Sequence, residues 1–256
     1  MSAGRTLAGQ RVLVTRPAER AAGLLERIAE AGGEAIPFPV IEIVPRIPAR
    51  LPDATAFAIL LFVSPAAVEH GVAALGLVPG SRPPPAIGAV GPATTRALQA
   101  GGLRVDIRAH GGADSETLLE HPALQPERIG GRRILVVRGQ GGREYLGNRL
   151  VERGATVEYA EVYRRERPSR YDPDRVADCD IVTATSAEGV DNLLAMLAPA
   201  QRQHIRQCPL AVAAPRIAEH ARARGFAGPV VSAAQAGDEG LMTAIFECAD
   251  RSGTPS

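Results

Sequence analysis

Six short turns in this chain carry the residue types that hold an anion. They are Arg16-Pro17, Ser64-Pro65, Gly91-Pro92-Ala93-Thr94, Arg138-Gly139-Gln140-Gly141-Gly142, Thr185-Ser186-Ala187 and Ala214-Pro215-Arg216. Each follows a short apolar run and opens a helix-like stretch, where unsatisfied N–H groups and a positive dipole end make an anion site. Ser64, Thr94 and Ser186 add hydroxyls, Gly91 and Gly139 let a ligand approach the backbone, and Ala187 offers its N–H. Arg16, Arg138 and Arg216 add guanidinium groups. The chemistry is that of a ligand with several anionic groups. The same residues also serve as ordinary helix caps; what favours binding is that the pattern recurs in both halves of the chain. Tyr163 is of another kind. It lies in the charged, extended run YAEVYRRE, away from either core. A tyrosine there either packs across paired strands or presents a phenol to a cleft. Its neighbours Val162 and Arg164 are expected on the opposite face, leaving no nearby acid to replace it.

Other chemistries are poorly supplied. Gly139-x-Gly141 follows a strand, but the third glycine of a dinucleotide fingerprint is replaced by Glu144. No phosphate loop, GxSxG elbow or HExxH helix is present. His70, His110, His121, His204 and His220 are dispersed, and His70 and His220 are expected on solvated helix faces. Glu188 and Asp191 fall where they complement a helix dipole. Cys179, Cys208 and Cys248 are scattered without a CxxC, which argues against a disulfide framework or zinc site and suits a reducing compartment. No cluster of Asp, Glu, His or Cys suggests a metal, so activity is expected to need neither metal nor nucleotide. With 29 basic and 28 acidic residues the chain lacks the basic excess of a nucleic-acid binder. The start has no apolar signal-like region, and the longest apolar run, Ala56–Val63, is too short to span a bilayer. The expectation is a cytoplasmic protein.

The elements that must position these turns alternate strand and helix. Strands are predicted at Val12–Thr15, Ala58–Val63, Ile87–Val90, Ile134–Val137, Ile181–Thr183, Leu210–Ala213 and Pro229–Ser232, with extended runs at Phe38–Pro45 and Thr156–Tyr163. Helices are predicted at Ala18–Ala31, from Pro65 to about Leu75, from Pro92 to Gly101, and at Asp114–Glu120, Gly142–Arg153, Ala187–Leu197, Pro215–Arg224 and Asp238–Cys248. Pro79–Pro85 reads as loop, Arg164–Asp178 as charged linker and Asp250–Ser256 as a disordered tail. Short apolar strands between helices give parallel sheets covered on both faces. With aromatics at 4% and no Trp, the cores are built from Leu, Val, Ile and Ala.

An internal repeat organises the whole. RVLVTR at Arg11–Arg16 returns as RILVVR at Arg133–Arg138, a shift of 122. Leu24 and Ile28 map on Leu146 and Leu150, Gly32 on Gly154, and Ser64 and Val68 on Ser186 and Val190. After one inserted residue, Pro92, Gly102, Glu116 and Leu118 map on Pro215, Gly225, Glu239 and Leu241. The period far exceeds the roughly 20–50 residues of a solenoid unit and fits a duplicated domain. Two lobes with a cleft between them follow, Arg16 and Arg138 being equivalent. Periodicity alone would cut the chain near Gly130.

VLVTRPAE, FVSPAAVE, AVGPATTRAL and VEYAEVYRR, in this order, resemble the uroporphyrinogen-III synthase family over about Arg11–Glu247. The resemblance implies two flavodoxin-like α/β lobes with helix-flanked parallel sheets, joined by a two-stranded linker. It divides the chain into Met1–Pro37 with Pro173–Ser256, Ala49–Tyr159, and linker strands Phe38–Pro48 and Ala160–Asp172 that let the lobes move. It implies a cofactor-free lyase that closes the linear tetrapyrrole hydroxymethylbilane to uroporphyrinogen III in heme biosynthesis. Water is lost, ring D attacks through its substituted position, and a spiro intermediate fragments and recloses with that ring inverted. The carboxylates on every ring agree with the anion-binding turns. The family's linker tyrosine matches Tyr163 as the catalytic group, and its turns match Ser64, Gly91, Thr94 and Ser186. A monomer taking substrate from hydroxymethylbilane synthase is expected. Where many members keep a second Gly-Pro-x-Thr turn, this chain has Ala213-Ala214-Pro215-Arg216, so Arg216 takes the place of hydroxyls. The rivals are a non-catalytic two-lobed protein that binds an anionic small molecule and a regulatory module without turnover.

Overall fold

The computed structural model describes residues 5–46, 51–79, 85–109 and 114–252. The predicted loop over 79–85, the tail over 250–256, positions 47–49 and His110 lie partly or wholly outside these residues. The elements begin with β1 (Arg11–Val14), α1 (Ala22–Glu30), β2 (Glu34–Pro37), β3 (Glu42–Pro45), β4 (Ile59–Phe62), α2 (Pro65–Ala74), β5 (Ala86–Ala89) and α3 (Pro92–Ala100). Then come β6 (Ile107–Arg108), α4 (Ser115–Leu119), α5 (Pro126–Ile129), β7 (Arg133–Gly139), α6 (Tyr145–Glu152) and β8 (Thr156–Glu166). The last are β9 (Ile181–Ala184), α7 (Ala187–Met196), α8 (Pro199–Gln207), β10 (Leu210–Val212), α9 (Pro215–Ala223), β11 (Val230–Ser232) and α10 (Asp238–Ser252). They form two compact units, Met1–Glu42 with Glu166–Ser256, and Ile43–Arg165.

The first unit holds a sheet of order β2-β1-β9-β10-β11, parallel throughout. α1 and α10 cover one face, where Val12, Val14, Leu24, Ile28, Ile181, Leu241 and Ile245 form one apolar cluster. Alternate strand residues, Leu13, Val182 and Leu210, are buried on the other face. The second unit's sheet has the order β3-β8-β7-β4-β5-β6. Phe62, Ala67, Leu98, Val137 and Val162 pack on one side, and Leu61, Leu118, Ile129, Val136, Leu146 and Leu150 on the other. Relabelled from β7, its five main strands repeat the first unit's order, the 2-1-3-4-5 order of flavodoxin-like sheets. Register is inherited too. Arg11 pairs with Glu34 and Arg133 with Thr156; Val12 pairs with Ile181 and Ile134 with Ile59.

Several expectations need correction. The helix predicted from Ala18 begins as a separate 3-10 turn, Ala18–Arg20, in which Arg20 N–H bonds to Pro17 O and Arg16 holds Arg20 O at 3.2 Å. The strand over Phe38–Pro45 is only β3. Phe38 and Val40 donate to Val14 O and Thr15 O over the end of β1, while Pro39 has no N–H to continue a ladder. β2 precedes that stretch and was not predicted, nor were β6, α5 and α8. These four are short or, like α8 with Ile205 its one buried side chain, lack apolar periodicity. The predicted linker from Arg164 begins as strand, because β8 continues through Glu166. No helix among the described residues is long and apolar enough to cross a membrane.

Candidate active site

The carboxyl ends of β4 and β7 lie side by side, with Phe62 and Val137 as register partners. Chain growth reverses direction across the sheet at this pair, so connections leave on opposite faces and a crevice opens. A cavity of about 280 Å³ occupies it, just below the roughly 300–1,000 Å³ of small-molecule pockets. Ser64, Arg138, Gly139 and Tyr163 line it together, with Tyr159 and Arg143.

A bulge puts Tyr163 there. β8 stays in step with β7 to the pair Arg138–Glu161, after which Gly139 pairs with Tyr163 and Val162 is the extra residue. Alternation would send Val162 and Tyr163 to opposite faces, yet both join the cluster of Phe62, Ala67 and Val137. Tyr163 is 6% exposed, which corrects its expected place away from the core. A Cβ on Gly139 would stand 2.5 and 2.6 Å from Tyr163 ring carbons and 3.0 Å from the hydroxyl, so this glycine makes room for the ring. The hydroxyl lies 3.1 Å from Ser64 Oγ. Ser64 caps α2, its Oγ accepting Ala67 N–H at 3.1 Å. With one lone pair so occupied, Ser64 keeps its own O–H to donate.

Arg138 is 7% exposed. Its Nη1 donates to Gly142 O at 3.1 Å, its Nη2 reaches Glu161 at 3.4 Å, and the guanidinium stands 3.8 Å from the Tyr159 ring centre. Its buried Nε bonds to nothing among the described residues. Glu161 is shared with Arg46 at 2.5 Å. Arg138, Arg143 and Arg165 in the wall outnumber Asp114 and Glu116, leaving a cationic excess. Both carboxylates line the same cavity as Tyr163. Asp114 caps α4, and the N–H and hydroxyl of Thr117 hold its carboxyl below the usual range.

Other predicted residues lie elsewhere. Gly91 caps α3, and Thr94 is buried in that helix's first turn, outside the cavity wall. Arg16, Ser186, Ala187 and Arg216 follow the carboxyl ends of β1, β9 and β10 in the first unit. Arg16 is bound to Asp238 at 2.5 Å, Ser186 caps α7 through Gly189 N–H at 3.0 Å with Ala187 its first residue, and Arg216 is exposed. Asp191, expected to complement a dipole, ties α7 to α9 through His220 at 2.9 Å and Arg224. Burial opposes ionisation there, but these two partners hold the carboxyl below its ordinary value. His220 and His70 are half-buried rather than solvated, the His70 ring 6.2 Å from that of Tyr163. Sequence reasoning missed Tyr159, Glu161 and Arg143; Tyr159 packs on the other face of the sheet from Tyr163, so strand spacing gave no signal for their meeting. It also missed a cluster, since Cys179, His204 and Cys208 bring their ligand atoms within 4.8 Å of one another. Their separation along the chain hides this.

Residues 22–243 match the family model described as Uroporphyrinogen-III synthase HemD. The chain is 31% identical over 230 residues to the uroporphyrinogen-III synthase of Escherichia coli (strain K12), covering 84% of this chain and 92% of that one. To that of Salmonella typhimurium (strain LT2) it is 33% identical over 232 residues, with the same two coverages. Its fold is similar to the crystal structure of uroporphyrinogen-III synthetase from Helicobacter pylori 26695, with TM-score 0.63 at 16% identity over 93% of this chain and 99% of that one. A mutant uroporphyrinogen III synthase from the extremely thermophilic bacterium Thermus thermophilus gives TM-score 0.54 at 18% identity over 95% and 100%.

Proposed function

The chain belongs to the uroporphyrinogen-III synthase family, and from that premise we propose that the cavity beside Tyr163 receives the reacting end of hydroxymethylbilane. The activity is that of a hydro-lyase of tetrapyrrole biosynthesis. A cavity of about 280 Å³ suits one or two pyrrole rings of such a substrate, not the whole of it. The observation that carries the reading is the buried Tyr163 hydroxyl, 3.1 Å from Ser64 Oγ and in one cavity with Arg138.

The chemistry divides between substrate and protein. The pyrrole nitrogen lone pair expels the hydroxymethyl oxygen, which leaves as water after taking up a proton. Ring D attacks the exposed methylene carbon through its substituted position. The spiro intermediate then fragments, recloses with ring D inverted and releases a proton. Ser64 O–H donates to Tyr163 oxygen, which directs the Tyr163 O–H at the leaving oxygen and polarises it. Arg138 receives a carboxylate on its open Nε. Gly91 and Thr94 sit one strand away. The enzyme acts as a monomer in the cytoplasm. In support, among the described residues the exposed large apolar side chains Val78, Tyr145, Val151 and Tyr171 are separated along the chain, and the three cysteines are buried. Because the substrate loses water by its own electronic push, direct receipt from hydroxymethylbilane synthase is favoured.

Tyr163→Phe tests the assignment. It keeps the ring and removes the proton donor, so the rate is expected to fall about 10²-fold, the low end of general-acid effects. Product affinity and the far-ultraviolet spectrum stay unchanged. A variant with normal rate and normal isomer III yield removes Tyr163 from the chemistry.

A further inference from the structure

Cys179 stands two residues before β9, Cys208 directly follows α8, and His204 lies one helical turn earlier on α8. Both thiols are buried, at 3% and 6% exposure, while His204 is exposed. Cys208 Sγ is 3.6 Å from His204 Nε2 and 3.5 Å from Cys179 O. The three ligand atoms all lie within 4.8 Å of one another. A tetrahedral zinc with bonds of about 2.3 Å to sulfur and about 2.0–2.1 Å to nitrogen separates those two ligands by about 3.5–3.6 Å. The Cys208–His204 edge therefore already has the spacing such an ion imposes.

We propose that Cys179, His204 and Cys208 form a binding site for a thiophilic cation of the zinc class. Two thiolates and an imidazole fill three tetrahedral positions, and the exposed side of His204 leaves the fourth to water. Two soft sulfur donors select against magnesium and calcium, which take oxygen ligands. The ion would fasten α8 to the start of β9, stabilising the first unit by binding its folded form alone. The site lies before the amino end of β9, whereas Ser186 follows the carboxyl end. It is therefore a structural site, separate from the turns assigned to substrate.

The test is titration of the reduced, chelator-treated full chain with Zn²⁺ and, as a spectroscopic probe, Co²⁺. The expected result is one equivalent bound, a thiolate-to-cobalt charge-transfer band, and a higher unfolding temperature with Zn²⁺. Cys179→Ser and Cys208→Ser should each abolish the band. His204→Ala, at an exposed position that leaves the fold intact, should weaken Zn²⁺ binding by more than the ~10–100-fold seen when an outer-shell partner is lost. Cys248→Ser should leave both unchanged. Absence of the cobalt band in the native chain overturns the proposal, as does zinc binding that survives both His204→Ala and Cys208→Ser.

Discussion

At the scale of single residues, Gly139 matters as much as the phenol it faces. In the sequence it stood out as part of a Gly-x-Gly run, a pattern shared with dinucleotide loops. The reason for a glycine here is steric: the Tyr163 ring occupies the space a Cβ would take. Gly139→Ala is therefore expected to displace the ring and separate its hydroxyl from Ser64. Misplacing a reacting group by about 1 Å costs about 10²-fold in rate, so the variant should approach Tyr163→Phe in kcat. Overpacking should also lower stability by about 1–3 kcal/mol. Rate and unfolding free energy measured together check this; a variant with full activity would show that the ring need not rest on this glycine. Arg138 was visible as a repeated arginine, but its burial, its Tyr159 contact and its open Nε depend on β8 and could not be read from spacing.

At the scale of elements, Ser64 has two duties that can be separated. Its Oγ caps α2 and also meets Tyr163. Alanine at an N-cap costs typically about 1 kcal/mol, whereas glycine costs only a few tenths. Ser64→Ala should thus lose stability and rate, and Ser64→Gly should lose the same rate with little loss of stability. Thermal unfolding and turnover of both variants decide the matter: equal rates in Ser64→Gly and the native chain would confine Ser64 to capping. The caps were legible because Ser-Pro before an apolar helix has one local solution. Ser64 and Ser186, equivalent in the repeat, adopt matching backbone angles, −160° and 161° against −156° and 156°. The bulge in β8 was not legible. Each residue of EVYRR suits a regular strand, and only the slip against β7 at Gly139 turns Val162 and Tyr163 to one side. α8 and the cysteine–histidine cluster at its end were hidden for a related reason: PAQRQHIRQ shows no apolar stripe, so nothing local announced a helix.

At the scale of the whole molecule, the repeat made the duplication legible, while the pairing of its parts came only from the family resemblance. Of its five main strands, each sheet takes the first two from one copy and the other three from the other copy. β1 and β2 join β9, β10 and β11, while β7 and β8 join β4, β5 and β6. Equivalent strands carry equivalent edges, so Val12 could face Ile59 as well as Ile181, and the repeat alone cannot choose. β3 shows the choice made: it adds to β8, so the chain has left the first sheet before β4 forms. The consequence is testable with fragments. Residues 43–165 are continuous and contain both apolar clusters of their sheet. At roughly 120 residues this stretch is of ordinary domain size. Expressed alone, it should give a dispersed amide spectrum and a single cooperative thermal transition. Residues 1–130, the half that periodicity marks out, hold two strands of one sheet and lack β7, the strand that joins β4 to β8 in the other. That fragment should stay uncooperative, with its apolar faces uncovered. If 1–130 folds cooperatively and 43–165 does not, the exchange of strands between copies is not what the folded chain contains.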